Sequence, residues 1–394
     1  MRLIHFSDLH LGFRQYQRLT PGGINQREAD VARSFEYVVG QVIELAPDVV
    51  MIAGDVFHNV RPTNPAILHA FQQLVRLTRA LPDTPVIAIG GNHDTPRSTE
   101  TGGILRLFQQ AGVTVVDQEA KRLSFPELGL SVLAVPDVPG GLPALTTDPS
   151  ARYNVLLLHG AIPGITPEFV SITDRAAIEV SPEELGASRW NYVALGHHHV
   201  FTEVAPNAFY SGSIDYTSVN PWGDRWEEEK RAIGKGFVEF DLETGTHRFH
   251  RIPPSRPLIE LESIWARGLT VGEVDARIQS AVEKCPGGID DKIVRLVVRD
   301  LPRHIARDLD HRALREYKRR ALHFHLDTRR PEVVRSVGVS GPGRRPSLAE
   351  LVRDKLQSRI IEADIDRATL VELGLQYLRD AESVAPAATV DVEG

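Results

Sequence analysis

Five short apolar runs in this chain each end in aspartate, asparagine or histidine. "RLIHFS" leads into "DLH", "VVMIAG" into "DVFHN", "PVIAIG" into "GNHD", "NVLLL" into a lone His159, and "YVALG" into "HHH". Runs this short, bounded by Gly, Pro or polar residues, read as strands buried on both faces. Helical-period segments near 28–45 and 64–81 separate the first three. That alternation predicts a layered α/β fold, with a sheet covered by helices or two packed sheets flanked by helices. In open α/β sheets ligands bind beyond the carboxyl ends of the strands, so all five polar clusters can face one crevice.

The clusters contain no serine nucleophile elbow, GxGxxG or GxxxxGK[ST] pattern. The single cysteine, Cys285, excludes an internal disulfide and any cysteine-cluster metal site. Carboxylate, amide and imidazole donors without thiolate suit Mn, Fe or Zn. On an extended backbone residues i and i+2 share a side, so Asp8 with His10, and His197 with His199, are expected to converge pairwise, leaving His198 outward or structural. Glycines 54, 91 and 196 allow tight turns beside them.

As an ordered set, "DLH", "GDVFH", "GNHD", a lone histidine after an apolar strand and "GHHH" resemble the calcineurin-like metallophosphoesterases. Within them, "FSDLHLG", "AGDVFH" and "YSGS" resemble the SbcD-type nucleases, subunits of complexes that act in double-strand-break repair. The resemblance implies two divalent ions, Mn2+ foremost with Fe, Zn or Mg as alternatives. Asp8, His10, Asp55 and His199 would hold one, and Asp55, Asn92, His159 and His197 the other, with Asp55 bridging. A shared anionic ligand offsets the repulsion between two close cations, and such a pair can clamp both attacking and leaving oxygens of an in-line displacement. His93 is the candidate proton donor to the leaving group, with Asp94 as its orienting partner and His58 as a second catalytic or substrate-positioning candidate.

At 394 residues the chain is long enough for two domains and a tail. The expected boundaries are a nuclease domain at 1–255, a smaller α+β capping domain at 256–337, a Gly/Pro linker at 338–346 and a helical tail at 347–394. The net charge of −7 hides an asymmetry: residues 292–345 hold 15 Lys and Arg against 6 Asp and Glu, a local +9 that leaves −16 elsewhere. Such a split fits a localised surface for an anionic polymer. Arg312, Arg315, Lys318, Arg319 and Arg320 are its DNA-binding candidates. Within the insertion at 218–236 after "YSGS", the run Glu227–Glu229 would repel DNA if it faced the active site.

In the tail, "SLAE" and "TLVE" both read as capping boxes before two short amphipathic helices. Their stripes, Leu348, Leu351, Val352 and Leu356, then Val371, Leu375 and Leu378, would dock on an SbcC-like SMC-type ATPase or pack on the chain's own body. The resemblance implies a homodimer through helices near 64–81 and 102–111, with Leu68, Phe71, Leu74, Leu105 and Phe108 as the apolar contact; packing of the same residues in the chain's own core is equally compatible. No apolar run approaches the ~20 residues of a membrane span, and the first ten residues lack a signal-peptide core, so a cytoplasmic location is expected.

The leading expectation is therefore a metal-dependent DNA exonuclease or endonuclease. A phosphatase or phosphodiesterase for small nucleotides or phosphoproteins is the alternative on the same core. A DNA-end scaffold that has lost catalysis is the third reading, opposed by the complete ligand set and His93.

Overall fold

The computed structural model describes residues 1–96, 103–165, 176–331, 347–358 and 366–384. The linker expected at 338–346 lies outside them, as do 332–337 of the expected capping segment. The chain divides into two compact units, 1–331 and 332–394.

In chain order the first unit contains β1 (Arg2–Phe6), α1 (Gln26–Leu45), β2 (Val49–Ile52), α2 (Asn64–Ala80), β3 (Val86–Ile89), β4 (Thr114–Val116), β5 (Lys121–Phe125), β6 (Leu130–Val135), β7 (Tyr153–His159), α3 (Pro182–Leu185), β8 (Tyr192–Gly196), β9 (Thr202–Ala205), β10 (Ala208–Tyr210), α4 (Pro221–Lys230), β11 (Gly236–Asp241) and β12 (Thr246–Arg251). It continues with β13 (Leu258–Trp265), α5 (Val271–Glu283), β14 (Ile293–Arg299), α6 (Arg303–Arg307), α7 (His311–Arg320) and β15 (His323–Thr328).

Two six-stranded sheets carry the fold, ordered β12-β11-β1-β2-β3-β4 and β5-β6-β7-β8-β10-β9. Side chains alternate across each strand. Leu3, Met51 and Ile87 point from the first sheet onto Val155, Leu157 and Ala194 of the second. Ile4, Val50 and Ala88 point the other way, onto Phe35, Val38 and Leu74 of α1 and α2. This layered arrangement, with two sheets face to face and helices outside, matches the fold class read from the sequence.

The two long helices start and stop for local reasons. Asn25 caps α1 by accepting from the Arg27 N–H, and Thr63 caps α2 by accepting from the Ala66 N–H. Helix α1 ends where Ala46 turns left-handed at φ 46°, with Pro47 behind it. β1, β2 and β3 run parallel, as do β6, β7 and β8. Three strand ends from each sheet therefore open on a common edge, which is where the polar clusters lie.

The segment expected to form a homodimer contact is largely spent inside the chain. Leu74, Leu105 and Phe108 are fully buried in the helix-side core, while Leu68 is exposed. Residues 104–111 also wind as a tight 3-10 helix.

Residues 258–328 build their own three-stranded sheet, β13-β14-β15, over a separate apolar core that includes Val274, Ile278, Leu296 and Phe324. Its strands are parallel throughout, because helices carry the chain back after β13 and β14. It is thus a βαβααβ unit, with both α6 and α7 between β14 and β15. Arg256 from the 252–257 junction joins it to the body by pairing with Asp30 at 2.7 Å. Tyr16 stacks on His323 at 4.0 Å.

In the second unit α8 (Leu348–Ser358) packs on α9 (Arg367–Val384), and a Cβ on Gly374 would strike Leu356. Ser347 and Glu350 form the expected reciprocal cap. "TLVE" does not start α9: Asp366 accepts from the Thr369 N–H, so the helix begins three residues earlier and runs for 18 residues. Leu348 and Leu351 are exposed and Val371 is buried.

Candidate metal centre

β1 and β2 stop short of their polar residues, but the pairing of the chain does not. Asp8 N–H donates to the Gly54 carbonyl, His10 N–H to Asp55 and Leu11 N–H to Val56, each at about 3 Å, so two loops run on side by side beyond the sheet. Asp8, His10, Asp55 and His197 hold φ values of 53°, 47°, 51° and 107°. Left-handed backbone at four non-glycine residues is unusual, and such strain concentrates at functional sites. It also corrects the expected reason for convergence: Asp8 and His10, like His197 and His199, are brought together by turns after the strands rather than by extended backbone.

The turns crowd the ligand-type side chains into one cluster. His10 Nε2 lies 2.9 Å from His199 Nε2 and 3.7 Å from Asp55 Oδ2. His159 Nε2 lies 3.6 Å from the same Asp55 oxygen and 3.0 Å from Asn92 Oδ1. His197 Nδ1 lies 3.2 Å from Asn92 Oδ1. All seven expected ligands therefore meet, with Asp55 between His10 and His159. Space for this depends on glycine: a Cβ on Gly91 would lie 2.1 Å from Asp55 Oδ1, and one on Gly196 would lie 1.9 Å from the Ala53 carbonyl oxygen.

Supporting hydrogen bonds fix several orientations. His159 Nδ1–H donates to the Ala53 carbonyl at 2.7 Å, which leaves Nε2 as the lone-pair nitrogen facing the cluster. Asp8 accepts the His197 N–H at 3.0 Å and the Ser7 hydroxyl at 2.5 Å, and Ser7 lies 2.8 Å from Ser211. Ser7 and Ser211 were not singled out from the sequence, although "FSDLHLG" contains the first and "YSGS" the second.

Burial sets the charge states. It pushes the Asp8 carboxyl up to about 7, drives the His10 and His199 imidazoles well below their ordinary range, and lowers His197 to about 3. Neutral imidazoles offer lone pairs, and buried carboxylates need a counter-charge. This hard-to-intermediate oxygen and nitrogen donor set fits divalent cations. Two overlapping groups have the spacing of a binding site: Asp8 with His10 and His199, and Asp8 with Asp55 and His159. A third brings together His10, His58 and His93.

His93 sits over the cluster, its ring 4.8 Å from that of His10 and stacked on His58 at 5.3 Å. Its Nδ1 donates to the His58 carbonyl at 2.8 Å, and its backbone N–H donates to Asp55 Oδ1 at 2.9 Å. Asp94 is therefore not the partner that orients His93. Its buried carboxylate accepts the backbone N–H groups of Val56, Phe57 and Gly91 at 2.9–3.2 Å, tying the loops after β2 and β3 together. Burial raises Asp94 to about 7. His198 is not outward: it is buried edge-on to Tyr210 at 5.6 Å.

A cleft of about 200 Å3 opens over His10, Asp55, Asn92 and His93 and is walled on one side by Thr217, Val219, Asp224 and Glu227. The 218–236 insertion thus borders the site as α4. Its glutamates do not present a bare negative face, since Glu227 pairs with Arg231, Glu228 with Lys235 and Glu229 with Arg225.

The calcineurin-like phosphoesterase family model matches residues 1–201. The chain belongs to that family. Among curated relatives of this chain, the DNA double-strand break repair protein Mre11 of Methanococcus maripaludis is 28 % identical over 260 residues, covering 61 % of this chain and 63 % of the relative. The Methanopyrus kandleri protein of the same name is 24 % identical over 426 residues, covering 100 % of this chain and 86 % of the relative. The Methanocaldococcus jannaschii protein, 27 % identical, is likewise matched over 63 % of its length. The chain thus spans under two thirds of two of these three relatives. No helix among the described residues is long and apolar enough to cross a membrane.

Of the α7 cations, Arg319 pairs with Glu316 at 2.6 Å and Arg320 with Asp290 at 2.8 Å. Arg312, Arg315 and Lys318 are exposed on the same helix. Two of the five are thus already partnered by acids.

Proposed function

We propose that this chain is a metal-dependent DNA phosphodiesterase, a nuclease acting in double-strand-break repair. The observation that carries the reading is the meeting of Asp8, His10, Asn92, His159, His197 and His199 around Asp55 at the ends of five strands. The Mre11 relatives support DNA as the substrate over a small phosphomonoester. When bound, two divalent cations, Mn2+ first, would supply Lewis acidity to the non-bridging phosphate oxygens and activate the attacking water.

The chain's own residues then have separable tasks. Asp55 offers one carboxylate to both halves of the ligand set, lying at 3.7 and 3.6 Å from His10 and His159. The Ala53 carbonyl holds His159 in one tautomer. The His58 carbonyl fixes the His93 ring through Nδ1, which makes Nε2 the atom that delivers a proton to the leaving alkoxide. The cation face of α7 supplies phosphate contacts that position a polymer without reading its sequence. An SbcC-like ATPase on the α8–α9 unit and a second copy of this chain complete the proposed assembly, in a cytoplasmic setting.

The test is incubation of the purified chain with Mn2+ and end-labelled DNA beside a generic phosphomonoester. Metal-dependent cleavage of the DNA with little turnover of the monoester is expected. The opposite preference would replace the nuclease reading with a phosphatase.

A further inference from the structure

Lys235 is almost completely buried, at 3 % exposure. Its ammonium group donates to the His199 carbonyl and to Ser213 Oγ and forms an ion pair with Glu228 Oε1, each at 2.9 Å. Asp224 Oδ2 lies farther off at 3.6 Å, and the Tyr216 ring closes another side at 4.8 Å. A buried charge is retained only where its protons are matched in this way.

The acceptors come from separate parts of the site. The His199 carbonyl also accepts the Ser213 N–H at 3.1 Å and the Ser213 hydroxyl at 3.3 Å, so the ammonium is the shortest of three donors that fix the backbone from which the His199 imidazole reaches His10. Glu228 belongs to α4 and is held a second time by the Tyr216 hydroxyl at 2.8 Å. Asp224 and Glu227, on the same helix, wall the cleft. One ammonium group therefore joins the cleft wall to the backbone of an expected metal ligand.

We propose that Lys235 is a positioning residue, tying α4 to the His197–His199 loop so that the cleft wall and the metal-binding geometry of His199 are set together. This rests on the nuclease reading above. Neither Met nor Arg reproduces the tether: Met has no donor or charge, and the planar Arg fork cannot set one compact charge against the His199 carbonyl, Ser213 and Glu228 together. Lys235→Met also leaves Glu228 as a buried unpaired charge, so its loss of stability would be ambiguous taken alone. In Lys235→Met with Glu228→Gln the fully buried carboxylate is gone and only the partly exposed Asp224 loses an ion-pair partner, while the His199 carbonyl still lacks its ammonium donor.

The experiment measures Mn2+ affinity, thermal melting and hydrolysis of bis(p-nitrophenyl) phosphate for the full chain, Lys235→Met and the double variant. The double variant should melt close to the wild type. It should still bind Mn2+ at one of two positions about 10–100-fold more weakly, the usual effect of losing a group that orients a ligand. Its turnover should recover at high Mn2+. A double variant with wild-type Mn2+ affinity overturns the tether alone. A wild-type chain that takes up no Mn2+ overturns the metal reading and the tether with it.

Discussion

The backbone N–H of His93 donates to Asp55 Oδ1 at 2.9 Å, so the residue proposed to move a proton is anchored to the proposed bridging carboxylate by its main chain and not by its ring. Ring and anchor can therefore be altered separately.

Asp55→Ala removes the carboxylate that lies within 3.7 Å of both His10 and His159, together with the acceptor for His93. Occupancy should fall at both metal positions. Elemental analysis reads this directly, and two ions per chain in the variant would refute a shared ligand.

His93→Ala keeps its N–H and hence the Asp55 contact. Metal content and DNA affinity should stay near wild type while cleavage slows by about 10²–10⁴-fold, the usual contribution of a general acid. Wild-type cleavage would move the role elsewhere, with His58 first in line.

Asp94→Asn should act on the fold, because the amide cannot accept all three N–H groups that the carboxylate serves. Each N–H left unpaired costs about 1–3 kcal/mol. A clear fall in melting temperature is expected, with activity lost in proportion to folded protein. Unchanged melting with lost turnover would return Asp94 to the chemistry.

On α7, reversing Arg312, Arg315 and Lys318 to Glu should weaken DNA binding more than reversing Arg319 and Arg320, which already face Glu316 and Asp290. Each lost phosphate contact should reduce the slope of log K against log salt by about 0.9 on duplex DNA. Bis(p-nitrophenyl) phosphate turnover provides the control. An unchanged slope would leave this face as mere solvated charge.

The clustering of these side chains was legible because they lie at the ends of apolar strands, so a one-dimensional pattern of runs and polar ends encodes a shared edge. What the pattern misreads is local geometry. "NHD" suggests that Asp94 serves its neighbour His93, yet in space the nearer donors are backbone groups 37 and 38 residues upstream. "TLVE" fits a cap as well as Asp366 does, and only the backbone decides between them. Leu105 and Phe108 look alike whether they face a partner or a core. Lys235 was invisible for a different reason: a lysine in a charged stretch reads as solvated, and its contact with His199 spans 36 residues and exists only after closure.

β1 lies between β2 and β11, and pairs with the latter through Arg2–Asp241 to His5–Val238. β1 therefore waits for a strand made some 235 residues later. At about 5–20 residues per second, a nascent chain spends tens of seconds with one edge of β1 unpaired and the centre unassembled. Lys235 emerges immediately before that closing strand, so metal-binding competence should arise late and abruptly during translation, and a ribosome-bound chain arrested before residue 241 should remain inert.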